Sequence, residues 1–449
     1  MEKAVNQRPL TELQEALSEQ LPPLSAHEAV VEANRCLYCY DAPCTQACPT
    51  HIDIPRFIKK IATGNVLGSA KTILEANFLG ATCARVCPVQ ELCEGACVLG
   101  SDHKPIQIGR LQRYATDYVY QQKTEVFKAG TPTGRKVAVV GSGPAGISCA
   151  AELAKLGHSV TLFEKRELAG GLSTYGIIVL REPVEVALSE VEALKRLGVE
   201  VRTKMELGKN LSFDELRTKF DAVFLGLGLG AVPAMGIPGE EHIQDGLEWI
   251  EASKMKPLDT IKAGDNVVVV GAGNTAIDAA TIAKRLGAER VTMVYRRTEA
   301  EMTAYPHEYQ FARLEGIDYR FLTQPVRVVT DRGKVVGLEC IRMKLGAPDA
   351  SGRPAPEPVP GSEFVLPADQ IIKAIGQEKP ALVKELGLEA EKGYIRVNHD
   401  FATSIPGVYA GGDCVRAKGT ASTVMAVQDG KLAAKSIHSA LVAKGAAND

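Results

Sequence analysis

The sequence has no long apolar run and no excess of charge of one sign. Its longest apolar stretches, such as residues 267–270, have the length of a strand, whereas a membrane-spanning helix needs about 18 consecutive apolar residues. The 52 basic and 54 acidic residues leave a net charge of −2, which is not typical of a general nucleic-acid-binding protein. We therefore expect neither a membrane nor a nucleic acid as a partner.

Several common motifs are also missing. The amino-terminal segment MEKAVNQRPLTELQE lacks the apolar core of a secretory signal, so we expect a cytoplasmic protein. The sequence contains no GxSxG nucleophile elbow, no HExxH zinc motif and no GxxxxGKS/T phosphate loop, and it assigns no catalytic side chain. With 449 residues, 45% of them hydrophobic and 24% charged, the chain is long enough for about three folded domains.

Cysteine is concentrated in one part of the chain. Eight of the eleven cysteines lie between Cys36 and Cys97, and glycine becomes frequent only after residue 130, so TPTGRK (131–136) is interpreted as a linker. In a reducing compartment such cysteines are more often metal ligands or buried thiols than disulfides. They form two groups, Cys36-x2-Cys39-x4-Cys44-x3-Cys48-Pro and Cys83-x3-Cys87-Pro-x4-Cys93-x3-Cys97.

The spacing of these cysteines favours iron–sulfur clusters. Paired Cys-x2-Cys motifs are typical of zinc sites, whereas uneven spacing and a cysteine followed by proline are typical of bacterial ferredoxins. Zinc and plain buried thiols remain the alternatives. Between the two groups, Ile54, Phe57, Ile58 and Ile61 fall on one face of a helix. We predict a helical domain over residues 1–130 that holds two clusters.

A first nucleotide-binding unit follows the linker. KVAVVGSGPAGISCAAELAKLGHSVTLFEKR has the order strand, Gly141-x-Gly143-x-x-Gly146, helix and strand, and it closes on Glu164. The glycines let the backbone approach a pyrophosphate at the amino terminus of a helix. A carboxylate 23 positions after the first glycine can accept hydrogen bonds from ribose hydroxyls. The combination predicts a dinucleotide site.

A second unit, NVVVVGAGNTAIDAATIAKRLGAERVTMVYRR, repeats the pattern with Gly271-x-Gly273-x-x-Ala276. Where the first unit has its glutamate, the second has Tyr295 followed by Arg296 and Arg297. Loss of the acid removes repulsion against a 2′-phosphate, and a guanidinium can pair with that phosphate. This favours NADPH over NADH. The alternative is that the arginine pair is only a solvated strand end.

A third signal, GVYAGGDCVRAKGTASTVMAV, returns the chain to the first unit. It places a short strand before Gly412 and Asp413 and a helix near Ala421, a pattern typical of flavoproteins with two dinucleotide sites. The carboxylate can bond a ribityl hydroxyl, and the helix amino terminus favours negative charge on a reduced flavin. We assign FAD to a discontinuous domain, 133–256 plus 374–449, with an NAD(P)H-binding domain, 257–373, inserted into it.

The predicted fold class is therefore α+β multidomain, a helical iron–sulfur domain followed by two Rossmann-like α/β nucleotide-binding domains, the second inserted in the first. We expect Gly171 and Leu172 beside the flavin, residues 374–377 near the nicotinamide, and the proline-rich segment 346–361 in a surface loop. No Cys-x-x-Cys lies beside the predicted flavin, so the clustered cysteines are the predicted route for its electrons.

These segments together resemble one known family. CLYCYDAPCTQACPTHIDIPRFI, LGATCARVCPVQELCEGAC, PIQIGRLQRYATDY and EKRELAGGLSTYGI are similar to the flavin/iron–sulfur portion of dihydropyrimidine dehydrogenase, a separate subunit in bacteria, and more broadly to the glutamate synthase small subunit. The resemblance covers residues 30–440. The FMN-containing barrel that binds the pyrimidine in the large single-chain dehydrogenases has no counterpart here, so the resemblance implies a barrel subunit as partner.

The resemblance also implies ligands for each cofactor. One 4Fe–4S cluster would use Cys36, Cys39, Cys44 and Cys97, and a second would use Cys48, Cys87, Cys93 and Gln112, with Cys83 left as a packed thiol. The FAD residues would be Gly141, Gly143, Pro144, Ala145, Gly146, Glu164, Lys165, Gly171, Leu172, Arg181, Gly412, Asp413, Ser422 and Thr423. The nicotinamide residues would be Ala272, Gly273, Asn274, Thr275, Arg296, Arg297, Ala374, Ile375 and Gly376.

The sequence departs from the family pattern in two places, of which only the second bears on the donor. GIIVLREP (176–183) lacks the proline and aromatic residue usual after the GGL stretch, and Thr303 stands where NADPH-dependent relatives have a further basic residue. We predict NAD(P)H, with NADPH ahead of NADH.

The leading hypothesis is the electron-input subunit of a dihydropyrimidine dehydrogenase, which reduces uracil and thymine on its partner. The alternatives are a glutamate-synthase-type small subunit and, from another class, a scaffold without turnover.

Overall fold

The computed structural model describes residues 9–349, 352–416 and 421–446. These residues form two compact units. The main unit contains Leu21–Thr174, Arg181–Gly230 and the chain from Lys379 onward, and the insert unit contains the segment ending at Gln20, Tyr175–Leu180 and Ala231–Glu378. In these described ranges no helix is both long enough and apolar enough to cross a bilayer.

The amino-terminal third of the chain is helical. Its α4 begins after Asp53, whose side chain accepts a hydrogen bond from the Arg56 amide, and it buries the predicted apolar face of Ile54, Phe57, Ile58 and Ile61, so that prediction is confirmed. The helices are α1 (Leu10–Ala16), α2 (Ala26–Ala33), α3 (Pro43–Ala47), α4 (Ile54–Ala62), α5 (Val66–Ala76), α6 (Gly80–Val86) and α7 (Ile108–Gln121).

The main unit is built on a five-stranded parallel sheet with the order β16-β4-β1-β2-β3. The central strands are continuous apolar runs because helices cover both of their faces. The strands are β1 (Lys136–Val140), β2 (Ser159–Phe163), β3 (Glu200–Arg202), β4 (Ala222–Leu225) and β16 (Val408–Ala410). The helices are α8 (Pro144–Lys155), α9 (Leu172–Tyr175), α10 (Val184–Arg196), α11 (Phe213–Lys219), α15 (Leu382–Glu385) and α16 (Thr423–Ala446), and a small antiparallel pair joins β14 (Ala390–Glu391) to β15 (Tyr394–Ile395).

One part of the helical third shares a hydrophobic core with this sheet. Phe78, Leu79 and Cys83, from and next to α6, are buried in the same cluster as Val137 of β1 and Ala145 of α8. The main unit therefore brings the cysteine-rich helices directly against the first glycine-loop unit.

The insert unit has its own five-stranded parallel sheet, with the order β5-β13-β6-β7-β8. An antiparallel group of β9, β10, β11 and β12 accompanies it. The strands are β5 (Gln244–Asp245), β6 (Asn266–Val270), β7 (Arg290–Val294), β8 (Asp318–Arg320), β9 (Thr323–Asp331), β10 (Lys334–Pro348), β11 (Pro354–Pro358), β12 (Phe364–Pro367) and β13 (Gln370–Lys373). The helices are α12 (Gly246–Met255), α13 (Asn274–Arg285) and α14 (Pro306–Leu314).

The proline-rich segment 346–361 is not the simple loop that its composition predicts. The end of β10 pairs in antiparallel fashion with β11, with Lys344 opposite Glu357, and residues 350–351 lie outside the described part of the chain. Proline is compatible with this ribbon because β11 is an edge strand that need not donate every backbone hydrogen bond.

The two units also divide the chain differently from the predicted boundaries. Because β5 pairs with β13, the insert unit begins at Ala231 and not at residue 257. The amino-terminal α1 lies in the insert unit and not with the other helices, since Leu13 and Leu17 share a core with Ile178 and Leu180. Short-range sequence patterns cannot locate such contacts, because their partners are more than 120 residues away in sequence.

Candidate functional site

Four of the cysteines line one cavity in the helical third. Cys36 and Cys39 follow α2, Cys44 lies in α3, and Cys97 follows the loop after α6. The cavity encloses about 380 Å³ including its open mouth, and its other walls are mostly apolar, formed by residues such as Ile54, Ile58, Ile106 and Ile108. The structure thus brings together the four residues that the resemblance assigns to the first cluster.

The chemistry of this cavity fits a cationic thiolate-bound group. Burial raises the pKa of Cys36, and burial together with repulsion from Cys36 and Cys97 raises the pKa of Cys44 to about 11. Thiols this difficult to ionise become thiolates when a metal supplies the compensating charge. The described residues include no group of His, Cys, Asp or Glu arranged to hold a single metal ion.

The second group of cysteines lies next to α6. A hydrogen bond with Cys83, burial, and repulsion from Cys83, Cys93 and Cys48 raise the pKa of Cys87 well above its usual value. Burial and repulsion from Glu94 and Cys48 raise the pKa of Cys93 well above its usual value. Cys48, Cys87 and Cys93 are therefore electrostatic neighbours, as the predicted ligand set requires. Cys83 is their buried companion in the shared core.

Gln112 lies on the buried face of α7. Its amide nitrogen donates a 2.8 Å hydrogen bond to the Gly80 carbonyl oxygen at the start of α6. The amide oxygen is the ligating atom that this side chain can offer. The burial of Gln112 beside the cysteine helix is compatible with its predicted role as the fourth ligand.

The first glycine loop connects β1 to α8 and leaves room for a pyrophosphate. A side chain at Gly146 would overlap the Gly141 carbonyl oxygen, so the helix can pack only with glycine there. A Cβ at Gly143 would meet open space, where a pyrophosphate could approach the backbone. Pro144 and Ala145 open α8, whose amino terminus favours the negative charge of a phosphate.

Glu164 follows β2 and is buried at 5% exposure. One carboxylate oxygen accepts hydrogen bonds from the Ser142 amide (3.0 Å) and hydroxyl (2.5 Å), and the other accepts one from the Arg166 amide at 2.8 Å. The Ser142 hydroxyl oxygen accepts a 3.0 Å hydrogen bond from Gly170. Glu164 thus fixes the phosphate loop and the turn before Gly171, a role that the sequence motif does not reveal.

The remaining predicted FAD residues surround this loop at different exposures. A Cβ at Gly171 would collide with the backbone of Gly143, so the GGL turn lies directly against the glycine loop. Lys165 and Leu172 are exposed, and Arg181 is half-buried.

The carboxyl-terminal signal forms a connected set at the start of α16. Burial raises the pKa of Asp413. The Gly412 amide donates a 3.0 Å hydrogen bond to Asp429, a residue of α16 that also pairs with Arg416. Ser422 lies just before Thr423, the first residue of α16, and its hydroxyl accepts a hydrogen bond from the Met425 amide. Residues 417–420 lie outside the described part of the chain.

Asp429 is a residue that sequence reasoning missed. Its motif signal is weak, because a lone aspartate inside a long helix is usually solvated, whereas here it is 5% exposed. Burial raises the pKa of Asp429 to about 6, although Arg416 and the Gly412 amide oppose the shift.

The second glycine loop lies against the end of β13. A side chain at Gly271 would overlap the Ala374 carbonyl oxygen, so Ala272–Thr275 and Ala374–Gly376 lie side by side. Gly273 approaches the Thr303 hydroxyl, and the Asn274 side chain accepts a 3.0 Å hydrogen bond from the Tyr305 amide. Ile375 is 39% exposed, and Gly376 follows it with a positive φ of 101°.

The two predicted phosphate arginines have different surroundings. Arg297 is buried, donates to Asp349 at 2.6 Å and to the Pro354 carbonyl oxygen at 2.9 Å, and so fixes the β10–β11 ribbon. Arg296 is exposed beside it. Of the two, Arg296 has the guanidinium that faces solvent and can meet a phosphate.

Two family models cover this chain. Residues 13–124 match the model described as dihydropyrimidine dehydrogenase domain II, 4Fe-4S cluster, and residues 135–430 match the model described as pyridine nucleotide-disulphide oxidoreductase. The chain belongs to the pyridine nucleotide-disulphide oxidoreductase family. It is an NAD(P)H-dependent FAD oxidoreductase with a 4Fe-4S domain, and the predicted fold class and cofactor types are confirmed.

Three relatives that this chain resembles are named as subunits of different enzymes. The chain is 38% identical over 424 residues to the NADP(+)-dependent formate dehydrogenase subunit beta of Moorella thermoacetica, covering 88% of this chain and 59% of that one. It is 36% identical to the glutamate synthase [NADPH] small chain of Halomonas elongata, covering 92% and 91%. It is 35% identical to the NAD-dependent dihydropyrimidine dehydrogenase subunit PreT of Escherichia coli, covering 95% and 97%.

The fold of the oxidoreductase portion also matches solved structures. The FprA protein of Mycobacterium tuberculosis in complex with NADPH aligns with a TM-score of 0.57 at 19% identity, covering 70% of this chain and 86% of that one. At this identity the likeness concerns the fold alone.

Proposed function

We propose that this chain is the electron-input subunit of a dihydropyrimidine dehydrogenase. It would oxidise NAD(P)H at FAD and pass electrons through two 4Fe–4S clusters to a partner subunit that reduces uracil and thymine. The observation that carries the proposal is the shared core of the main unit, in which Phe78, Leu79 and Cys83 are buried in one cluster with residues of β1 and α8.

Each part of this route has its own residues. The first glycine loop, Glu164 and Asp413 would hold FAD, and Ala272–Thr275 with Ala374–Gly376 would hold the nicotinamide nucleotide. FAD held there would supply the conversion between two-electron hydride transfer and one-electron transfer, which is chemistry of the cofactor. The chain's own contribution is to bind both nucleotides and to hold the cysteines of the helical third beside the flavin unit.

Likeness to a dihydropyrimidine dehydrogenase subunit supports the proposal of a pyrimidine-reducing partner. The relative named as a dihydropyrimidine dehydrogenase subunit matches almost end to end, and the model for residues 13–124 carries the same enzyme's name. The sequence THIDIPRFI after Cys48 and the context of Gln112 also fit that branch. The partner would be an FMN-containing barrel subunit, so the protein would act as a hetero-oligomer.

The test is an anaerobic pull-down of the chain from its native host, followed by an assay of uracil-dependent NADPH and NADH oxidation. Oxidation that requires uracil supports the proposal and identifies the donor. If uracil has no effect while an artificial dye is reduced, the chain feeds a different partner. A very large co-purifying amidotransferase would then favour the alternative, a glutamate synthase small subunit, for which relatives of similar identity exist.

A further inference from the structure

One lysine of the FAD unit reaches the cysteine-rich helices. Lys431 lies on α16, and its ammonium donates hydrogen bonds to the carbonyl oxygens of Ala76 at 2.7 Å and Thr50 at 3.2 Å. These acceptors are 355 and 381 positions away in sequence, at the end of α5 and in the loop after Cys48. All three residues belong to the main unit.

The Thr50 contact is next to a predicted cluster ligand. The Thr50 hydroxyl lies 3.4 Å from the Cys48 sulfur, and the His51 amide donates a 2.9 Å hydrogen bond to the Cys48 carbonyl oxygen. Thr50 is 1% exposed and Lys431 is half-buried, so water cannot replace this arrangement freely. Burial lowers the pKa of Lys431, and repulsion from Lys435 and Lys155 acts in the same direction, while Glu152 and Cys48 favour its charged form.

The same helix begins at the predicted flavin site. Thr423, a predicted FAD residue, is the first residue of α16, and Lys431 lies eight residues further, about 12 Å along the helix axis. A side chain at Gly430 would overlap the Ala145 carbonyl oxygen, so α16 also packs tightly against the phosphate-loop helix α8. One rigid element therefore contacts the FAD loop and the loop of a cluster ligand.

We propose that Lys431 is a positioning residue that fixes the Cys48 loop on α16 and places a positive charge beside the second cluster. The inference rests on the proposed ligand set, in which Cys48 holds that cluster. Reduction of a cluster held by Cys48 would add one electron and one negative charge on the side of the Lys431 ammonium, with no bond formed or broken and no proton required. The positive charge of Lys431 would stabilise the reduced cluster and so raise the reduction potential of the cluster.

The test is a redox titration of the anaerobically purified full chain, photochemically reduced and monitored by electron paramagnetic resonance. Lys431→Met removes the charge and both hydrogen bonds, Lys431→Gln retains a neutral donor, and Lys431→Arg retains the charge. We expect Lys431→Met and Lys431→Gln to disfavour reduction of one cluster about tenfold, which lowers its reduction potential by about 59 mV for one electron. Lys431→Arg should leave that potential near the parent value. The exposed Lys435, one turn further along α16, supplies the control Lys435→Met.

Each outcome separates the alternatives. Parent potentials in fully loaded Lys431→Met and Lys431→Gln would overturn the inference. Loss of iron from one cluster in Lys431→Met, with FAD retained and Lys431→Arg intact, supports the positioning role. Joint loss of iron and FAD in all three variants would make Lys431 a general packing residue and overturn the inference. If the parent chain itself holds no second cluster, the ligand set of the proposed function fails, and this inference fails with it.

Discussion

Glu164 shows how a single residue can serve two purposes. The motif assigns its carboxylate to a ribose, whereas the structure engages both of its oxygens with the protein backbone and with Ser142. A carboxylate oxygen can accept more than one hydrogen bond, so ribose contact and loop support are compatible. The residue therefore matters to the loop even before a nucleotide binds.

Replacing Glu164 tests this double role. We expect Glu164→Ala to lose FAD during gel filtration and to lower the free energy of unfolding by about 1–3 kcal/mol, because buried amides lose their acceptor. The measurements are FAD per chain and the thermal midpoint. Glu167→Ala removes only an exposed ion pair with Lys204 and should change neither. Full FAD retention in Glu164→Ala would show that the first-site assignment is wrong.

The arginine pair gives a second prediction at this scale. Arg296→Ala should raise the KM for NADPH about tenfold or more and leave that for NADH nearly unchanged, because a charge-assisted phosphate contact is worth about 1.5–3 kcal/mol. Arg297→Ala should instead lower the thermal midpoint and affect both nucleotides alike, since Asp349 and Pro354 lose this partner.

Steady-state dye reduction with each nucleotide measures these effects. The exposed Arg290, at the other end of β7, supplies the control Arg290→Ala. Equal rises of KM for NADPH and NADH in Arg296→Ala would contradict the assignment of Arg296 to the phosphate.

Individual side-chain contacts were the least predictable feature of the sequence. The dipeptide Arg296-Arg297 is uniform in sequence, and only the fold buries one of its members. The partners of Arg297 and Lys431 are 52 to 381 positions away, so no local pattern indicates them. The glycine loops were predictable because their constraint lies within one turn of backbone.

Between elements, α6 and α10 meet through buried carboxylates. Glu190 of α10 accepts hydrogen bonds from the Ala81 and Thr82 amides, and the Thr82 hydroxyl lies 2.5 Å from both Glu190 and Glu182. A hydroxyl has one proton to donate, so at least one carboxyl must carry a proton to satisfy both contacts. Burial raises the pKa of Glu190 to about 8, in agreement with this count.

This contact predicts a pH dependence. The folded state keeps a proton on Glu190 that the unfolded chain releases near pH 4.5, so stability falls as pH rises towards 8, by up to about 1.4 kcal/mol per pH unit. Glu190→Gln mimics the protonated form. In this variant the urea concentration at the unfolding midpoint should change less between pH 6 and 8 than in the parent. Glu192→Gln, an exposed position on the same helix, should retain the parent slope. Equal slopes in the parent and Glu190→Gln would show that Glu190 is ionised in the fold.

At the scale of elements, the order of strand, glycine loop and helix was predictable from the sequence. The pairing of irregular segments was not. The strands before Gly141 and Gly271 can be predicted because each is an apolar run followed directly by a glycine loop. The 346–361 ribbon instead depends on the pairing of β11 with β10. The proline-rich composition of this segment alone predicts a loop.

At the scale of the whole molecule, the insertion of one nucleotide unit in another followed from the order of three motifs. Its boundaries did not, because β5, α1 and Tyr175–Leu180 join the insert unit through long-range packing. The proposed ligand sets for the clusters, FAD and NAD(P)H stay predictions that the geometry makes testable.

The central claim is that electrons from NAD(P)H leave the flavin only through the cysteine-bound clusters. The most direct test compares flavin bleaching by NAD(P)H with uracil-dependent NAD(P)H oxidation in the anaerobically purified complex carrying Cys36→Ser, with Cys340→Ala of the insert unit as control. The account predicts that Cys36→Ser retains FAD and its bleaching but loses uracil-dependent oxidation, while the control retains both. Uracil-dependent oxidation at the parent rate in Cys36→Ser would contradict it.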